Sequence, residues 1–178
     1  VETAPEKGFK LTVEDLEKHR TEKTVALLLN SPSNPTGMIY TPEELKAIGE
    51  WAVEHDVLII ADEIYYRLTY NGNNAISIAS LSEEIKNQTV IINGISKTYA
   101  MTGWRIGYAI GNAEIISKMI ELSSHSTSNP AGPSQYGALA ALTGPQDFVE
   151  EMRAAFEARL NFFYPLVASI PGFKVTKP

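Results

Sequence analysis

The stretch that decides the fold begins with Val25-Ala-Leu-Leu-Leu29 and runs into Asn30-Ser-Pro-Ser-Asn-Pro-Thr-Gly37. It continues through Thr41-Pro42-Glu43-Glu44 and ends at Val57-Leu-Ile-Ile60. The first run is continuously apolar and bounded by turn formers, which predicts a strand buried on both faces. Thr41, Pro42 and Glu44 are arranged as N-cap, first helical residue and capping-box acid, so a helix starts there. Leu45, Ile48 and Ala52 then share one helical face, His55-Asp56 closes the helix, and Val57–Ile60 forms a second buried strand. Strand, helix and strand within about 35 residues make a βαβ unit, expected to be parallel and right-handed.

Working outward, Thr12 caps a short helix over Val13–Lys18. A third strand, Thr89-Val-Ile-Ile92, follows a short helix at Ser82–Lys86. A fourth, near Ile106–Ile110, follows so soon that an antiparallel return is expected. Helices over Ala113–Ser123 and Gln135–Leu142 flank a polar stretch, Ser124–Gln135. A long helix then starts at Pro145, with Phe148, Met152, Ala155, Arg159 and Phe162 on one stripe. Pro165 is expected to kink or end it, and Phe173-Lys-Val175 to open one more strand. The fold class is therefore α/β, a mostly parallel sheet flanked by helices. The opening Val1 and the stop at Pro178, just after a possible strand, read as the ends of an excised segment.

Composition narrows the function. The 178 residues are 44% hydrophobic and 20% charged, an ordinary balance for a globular chain. A net charge of −6 and a pI near 5.1 argue against nucleic acid or an anionic membrane as partner. No apolar run nears the ~20 residues that span a bilayer, and no leader pattern opens the chain. A cytoplasmic location is the expectation. With no cysteine, disulfides and thiolate chemistry are excluded. His19, His55 and His125 share no ligand spacing and read as surface or helix-end residues, so no metal is expected.

Ligands of open parallel sheets lie beyond the carboxyl ends of the strands. Just past the three parallel strands come Asn34, Asp62 and Lys97, three polar groups converging on one edge. Lys97-Thr98 has the ending of a phosphate-binding P-loop. That motif needs glycine directly before the lysine and again five positions earlier, where this chain has Ser96 and Ile91, so the reading fails.

Three strings go further. Ser31-Pro-Ser-Asn-Pro-Thr-Gly37, Ala61-Asp-Glu-Ile-Tyr65 and Ser96-Lys-Thr-Tyr-Ala-Met-Thr-Gly-Trp-Arg-Ile-Gly-Tyr108 resemble, in order and spacing, the signatures of class I aminotransferases of the aspartate type. The resemblance runs from about Leu11 to the end. It implies the fold-type I architecture, pyridoxal 5'-phosphate as cofactor, a homodimer, and transfer of an amino group between amino acids and 2-oxo acids. It also implies that Lys97 carries the cofactor as a Schiff base and then moves protons at the substrate Cα. Asp62 is implied as partner of the pyridine nitrogen, and Asn34 and Tyr65 as donors to the phenolic oxygen. Arg105 and Ser96 are implied as phosphate ligands. Many family members have serine three residues before the lysine; here Gly94 stands there, so a side-chain phosphate ligand is lost and the backbone is expected to approach closely instead. Gly103, Trp104, Gly107 and Tyr108 read as structural.

By the same resemblance, residues 1–143 belong to the cofactor-binding large domain, and residues 144–178 are a connecting helix and the start of a small domain. A glycine-rich phosphate turn, a ring-stacking aromatic and a carboxylate-binding arginine have no counterpart, so the segment alone is expected to be inactive. A lyase or synthase using the same cofactor, and an aminotransferase-like sensor domain of a transcription regulator, are the alternatives.

Overall fold

The computed structural model describes all residues from 1 to 178. Ala26–Asn30 (β1), Pro42–Glu54 (α2) and Leu58–Asp62 (β2) form the expected βαβ unit, preceded by Val13–His19 (α1). Both predicted caps are made. Thr41 Oγ1 accepts from the Glu44 amide while the Glu44 carboxylate accepts from Thr41 N–H, and Thr12 and Asp15 do the same for α1. Glu83–Asn87 (α3) leads into Thr89–Gly94 (β3), and Gly107–Ile110 (β4) returns beside it. The sheet order is β1-β2-β3-β4, parallel across the first two pairings and antiparallel across the last. Ala113–Ser124 (α4), Gly132–Thr143 (α5) and Asp147–Ala168 (α6) complete the chain.

The main core lies on one side of the sheet. Leu29, Ile59 and Ala61 point toward Leu45, Ile48, Trp51 and Ala52 of α2 and Ile85 of α3. The register sets Leu28 beside Ile60 on the other face. There Leu28 is 69% exposed, and Val25, just before the strand, is 74% exposed. Within residues 1–178 the first strand is therefore covered on one face, where burial on both was expected: α2 and α3 pack on the Leu29 side, and β1 has a partner strand on one side.

Three further expectations change. Pro165 does not end α6, which runs on to Ala168; lying in the last turn, it removes only one of the ladder's donors. Phe173–Val175 forms no strand, because no sheet edge pairs with it. The stripe of α6 through Phe148, Ala155, Arg159 and Phe162 is largely exposed, and the inward stripe is instead Val149, Met152, Arg153, Glu157 and Leu160. Two charged residues there take places that apolar patterning assigns to hydrophobic side chains.

Candidate cofactor site

The topology gathers the predicted residues on one edge. Asn34 follows β1, Asp62 ends β2, Tyr65 follows it, Ser96 and Lys97 follow β3, and Arg105 stands just before β4, which starts where β3 stops. Four of them, Asn34, Tyr65, Ser96 and Lys97, line one cavity of about 480 Å³, a size suited to a small organic ligand. Asp62 and Arg105 sit at the same edge without lining it.

The loop after β1 is held by its own polar groups. Asn30 Nδ2 donates to the Asp62 carbonyl at 3.1 Å, and Asn30 Oδ1 accepts from the Asn34 amide at 2.7 Å. One side chain therefore fixes the spacing of two strand ends and the start of the Asn34 turn. The sequence marks Asn30 only as a turn former, although a polar residue ending an apolar strand is a signal of this role. The Gly37 amide closes the loop on the Ser33 carbonyl at 2.8 Å, and the Ser31–Pro32 and Asn34–Pro35 bonds are cis. Gly37 has φ +73°, a left-handed backbone that would strain any side chain there.

Tyr65 and Lys97 face each other. Asn34 Nδ2 donates to the Tyr65 hydroxyl oxygen at 3.3 Å, leaving the hydroxyl proton free to donate elsewhere. Lys97 Nζ lies 5.7 Å from the centre of the Tyr65 ring. The turn that carries Lys97 is anchored on either side. Ile95, fully buried, packs with Ile106 and Ala138, and Thr98 is buried. The Tyr99 hydroxyl donates to Gln146 Oε1 at 3.0 Å, and Gln146 in turn donates to the carbonyls of Ala141 and Gly144. The turn that carries the lysine is thus anchored on both sides.

Gly94 has a reason of its own. A Cβ there would stand 2.8 Å from the Ile106 carbonyl oxygen and 3.1 Å from Gly107 Cα. A side chain at that position, serine included, would require the backbone entering β4 to shift.

Asp62 Oδ1 accepts from the Ile64 amide at 3.2 Å, so the carboxylate also shapes the turn leading to Tyr65. Arg105 adopts left-handed backbone, φ +55°, and Nη1 donates to the Thr102 carbonyl at 3.0 Å. Such backbone is uncommon for a side chain of this size, and here it ends the short 3-10 turn Thr102–Trp104. The remaining guanidinium donors are exposed to solvent.

Around this edge, burial raises the Tyr70 hydroxyl above its ordinary pKa, opposed by Arg153. Glu63, next to Asp62 but turned to the core side, is also raised by burial. The Ser77 hydroxyl beside it opposes that shift; it is itself buried and makes no hydrogen bond of good geometry. Leu68, Tyr70, Met152 and Phe156 complete the cavity wall. The sequence marks only Met152 among them, as part of a helical stripe; the four come from an irregular segment and a distant helix that only the tertiary fold unites.

The donor set fits pyridoxal phosphate. The cavity offers a lysine amine facing an aromatic ring and an amide–phenol donor pair. A carboxylate and an exposed guanidinium stand at the same edge.

Comparison with known proteins is consistent with this geometry. A family model described as aminotransferase class I and II matches residues 1–178. An aspartate aminotransferase of Bacillus sp. (strain YM-2) is 58% identical over 178 residues, which are 100% of this chain and 45% of that protein. An asparagine–oxo-acid transaminase of Streptococcus mutans is 57% identical with the same coverage. The crystal structure of an aspartate aminotransferase from Rhizobium meliloti superposes with a TM-score of 0.96 at 38% identity, covering 100% of this chain and 45% of that one. An aspartate aminotransferase from Thermus thermophilus with maleate gives 0.94 at 40% identity, covering 100% and 46%. The chain thus spans a little under half the length of these relatives.

Proposed function

The chain belongs to the class I and II aminotransferase family, and from that premise we propose that its protein moves an amino group between an amino acid and a 2-oxo acid. Pyridoxal 5'-phosphate is the cofactor, held covalently by Lys97. The single observation that carries this reading is the Lys97–Tyr65–Asn34 cluster lining one cavity at the carboxyl edge of the sheet. When bound, the cofactor supplies an electron sink for the negative charge left on the substrate Cα.

The residues of this chain do the rest. Lys97, once the substrate amine has taken its place, would accept the proton from the substrate Cα and return it one position away. Asp62 keeps a proton on the ring nitrogen by offering it a carboxylate. Asn34 and Tyr65 donate to the ring oxygen and hold it as an anion. Arg105 and Ser96 receive the phosphate, the guanidinium by its fork and the serine by its hydroxyl or amide.

Relatives named for aspartate, asparagine and prephenate, and a structure with the dicarboxylate maleate, point to an acidic amino acid as one substrate. All these relatives are named as transaminases, which favours transfer over the lyase, synthase and regulator alternatives. We place residues 1–143 in a cofactor-binding domain, with residues 144–178 leading toward a second one. A homodimer in the cytoplasm is the assembly proposed. Leu122 on α4 and Tyr136 and Leu139 on α5 are more than half exposed and supply apolar surface of the kind subunits bury. No helix is long and apolar enough to cross a membrane. The test is amino transfer from aspartate to a 2-oxo acid by the natural-length protein. Turnover with pyridoxal phosphate, abolished by Lys97→Ala, is expected; equal turnover by that variant would overturn the proposal.

A further inference from the structure

The inward stripe of α6 carries two charged residues, Arg153 and Glu157, while Phe162 and Phe163 further along are 72% and 63% exposed. Their partners explain the inversion. Arg153 Nη1 donates to the Thr69 carbonyl at 3.2 Å and to Glu157 Oε2 at 2.5 Å, and Nε donates to Glu150 at 2.7 Å. Glu157 Oε1 accepts from the Asn71 amide at 3.0 Å, and Asn161 Nδ2 donates to Asn71 Oδ1 at 2.9 Å. Three bonds therefore run from one helix to Thr69–Asn71, a segment far away in sequence.

That segment has no helix or strand to hold it. Asn71 and Gly72 both take left-handed backbone, at φ 57° and 78°. It is, however, the wall of the cavity: Leu68, Thr69 and Tyr70 line the space that Lys97 and Tyr65 face. Met152 and Phe156, each one residue before a charged member of the stripe, line the same space from α6. The helix thus turns apolar side chains to the cavity and charged ones to the backbone of the opposite wall. An isolated surface ion pair contributes little. This one differs because two of its groups end on main-chain atoms, so it fixes the path of the chain.

We propose that Arg153, with Glu157 and Asn161, is a positioning device that ties α6 to Thr69–Asn71 and so sets the wall of the substrate cavity. The inference rests on the proposed function for what the cavity holds, but not for the tie itself. Arg153 touches none of the reacting groups.

The experiment uses the natural-length protein with Arg153→Met and, as a milder change, Asn161→Ala. Chymotrypsin cleavage after Leu68 and Tyr70 is followed without cofactor. Michaelis constants for the amino-acid substrate are then measured with pyridoxal phosphate present. For Arg153→Met, cleavage about tenfold faster and KM raised about fivefold or more, with kcat within about twofold, are expected. Asn161→Ala should show smaller changes in the same direction, and it decides the matter should Arg153→Met not fold. Arg153→Lys should recover only part of the loss, lacking the fork. Cleavage within about twofold of the parent in the folded variants would overturn the tie. Faster cleavage with unchanged KM would overturn the positioning role. A parent protein that takes up no cofactor on Lys97 would overturn the proposed function, while the cleavage rates would still decide the tie.

Discussion

Replacing Gly94 by alanine tests how the lysine turn is built. The added methyl would meet the Ile106 carbonyl oxygen at 2.8 Å and Gly107 Cα at 3.1 Å, where ordinary contact starts at 3.4 Å. Both atoms are main chain of the strand entry beside Arg105, so no side-chain rotation relieves the overlap. Overpacking of this kind costs about 2–3 kcal/mol. Alanine restricts the unfolded chain more than glycine and returns about 0.4–1 kcal/mol. A net loss of about 1–2.6 kcal/mol remains, which lowers the urea midpoint by roughly 0.5–1.3 M at an m-value of about 2 kcal/mol/M. Tryptophan fluorescence of the natural-length protein during urea unfolding measures it. Gly103→Ala is the control, since its methyl meets nothing within 4 Å, and it should stay within about 0.5 kcal/mol. Gly94→Ser, which restores the serine common in the family, should lose stability like Gly94→Ala. An unchanged or higher midpoint for either Gly94 variant would refute the argument that a side chain there forces the backbone entering β4 to shift.

Tyr65→Phe removes the oxygen that accepts from Asn34 and the hydroxyl proposed to face the cofactor, but keeps the ring beside Lys97. One hydrogen bond of about 0.5–1.5 kcal/mol predicts cofactor affinity about 2–10-fold weaker by spectral titration, and equal affinity would count against the pair's role. Glu63 has its pKa raised by burial in the folded state. The folded chain therefore binds more protons than the unfolded chain between the two pKa values, and stability falls as pH rises through that window. Glu63→Gln should be at least as stable as the parent at pH 7, with the difference vanishing below about pH 4 where both states are protonated; chemical denaturation across pH checks it. Thr41→Ala loses the cap on the Glu44 amide and should cost about 1 kcal/mol in the same denaturation assay, and no loss would show that the box is not needed.

Much of the frame was legible because it rests on local rules. The Thr41–Glu44 box, the apolar runs ending at Asn30 and Asp62, and the short return to Ile110 all appear within the residues that obey them. The site residues could be placed on one edge because parallel strands send their following loops there. What stayed hidden depends on pairs distant in sequence. Exposure of Leu28 depends on which helices cover which face, and periodicity carries no information on that. The apolar residues of α6 suggested the wrong stripe because Arg153 and Glu157 meet Thr69–Asn71, a contact that no local pattern encodes. Gly94, read as room for a phosphate, is glycine because a strand beginning many residues later passes against it.

The central claim is that Lys97 is the covalent anchor of the cofactor, set by the strand ends that bring Asn34 and Tyr65 beside it. It is tested most directly by adding pyridoxal phosphate to the natural-length protein, reducing with borohydride and mapping the modified peptide. The account predicts a visible absorbance band before reduction and a single adduct on Lys97, absent from Lys97→Ala. Label spread over surface lysines such as Lys118, or an undiminished specific adduct in Lys97→Ala, would contradict it.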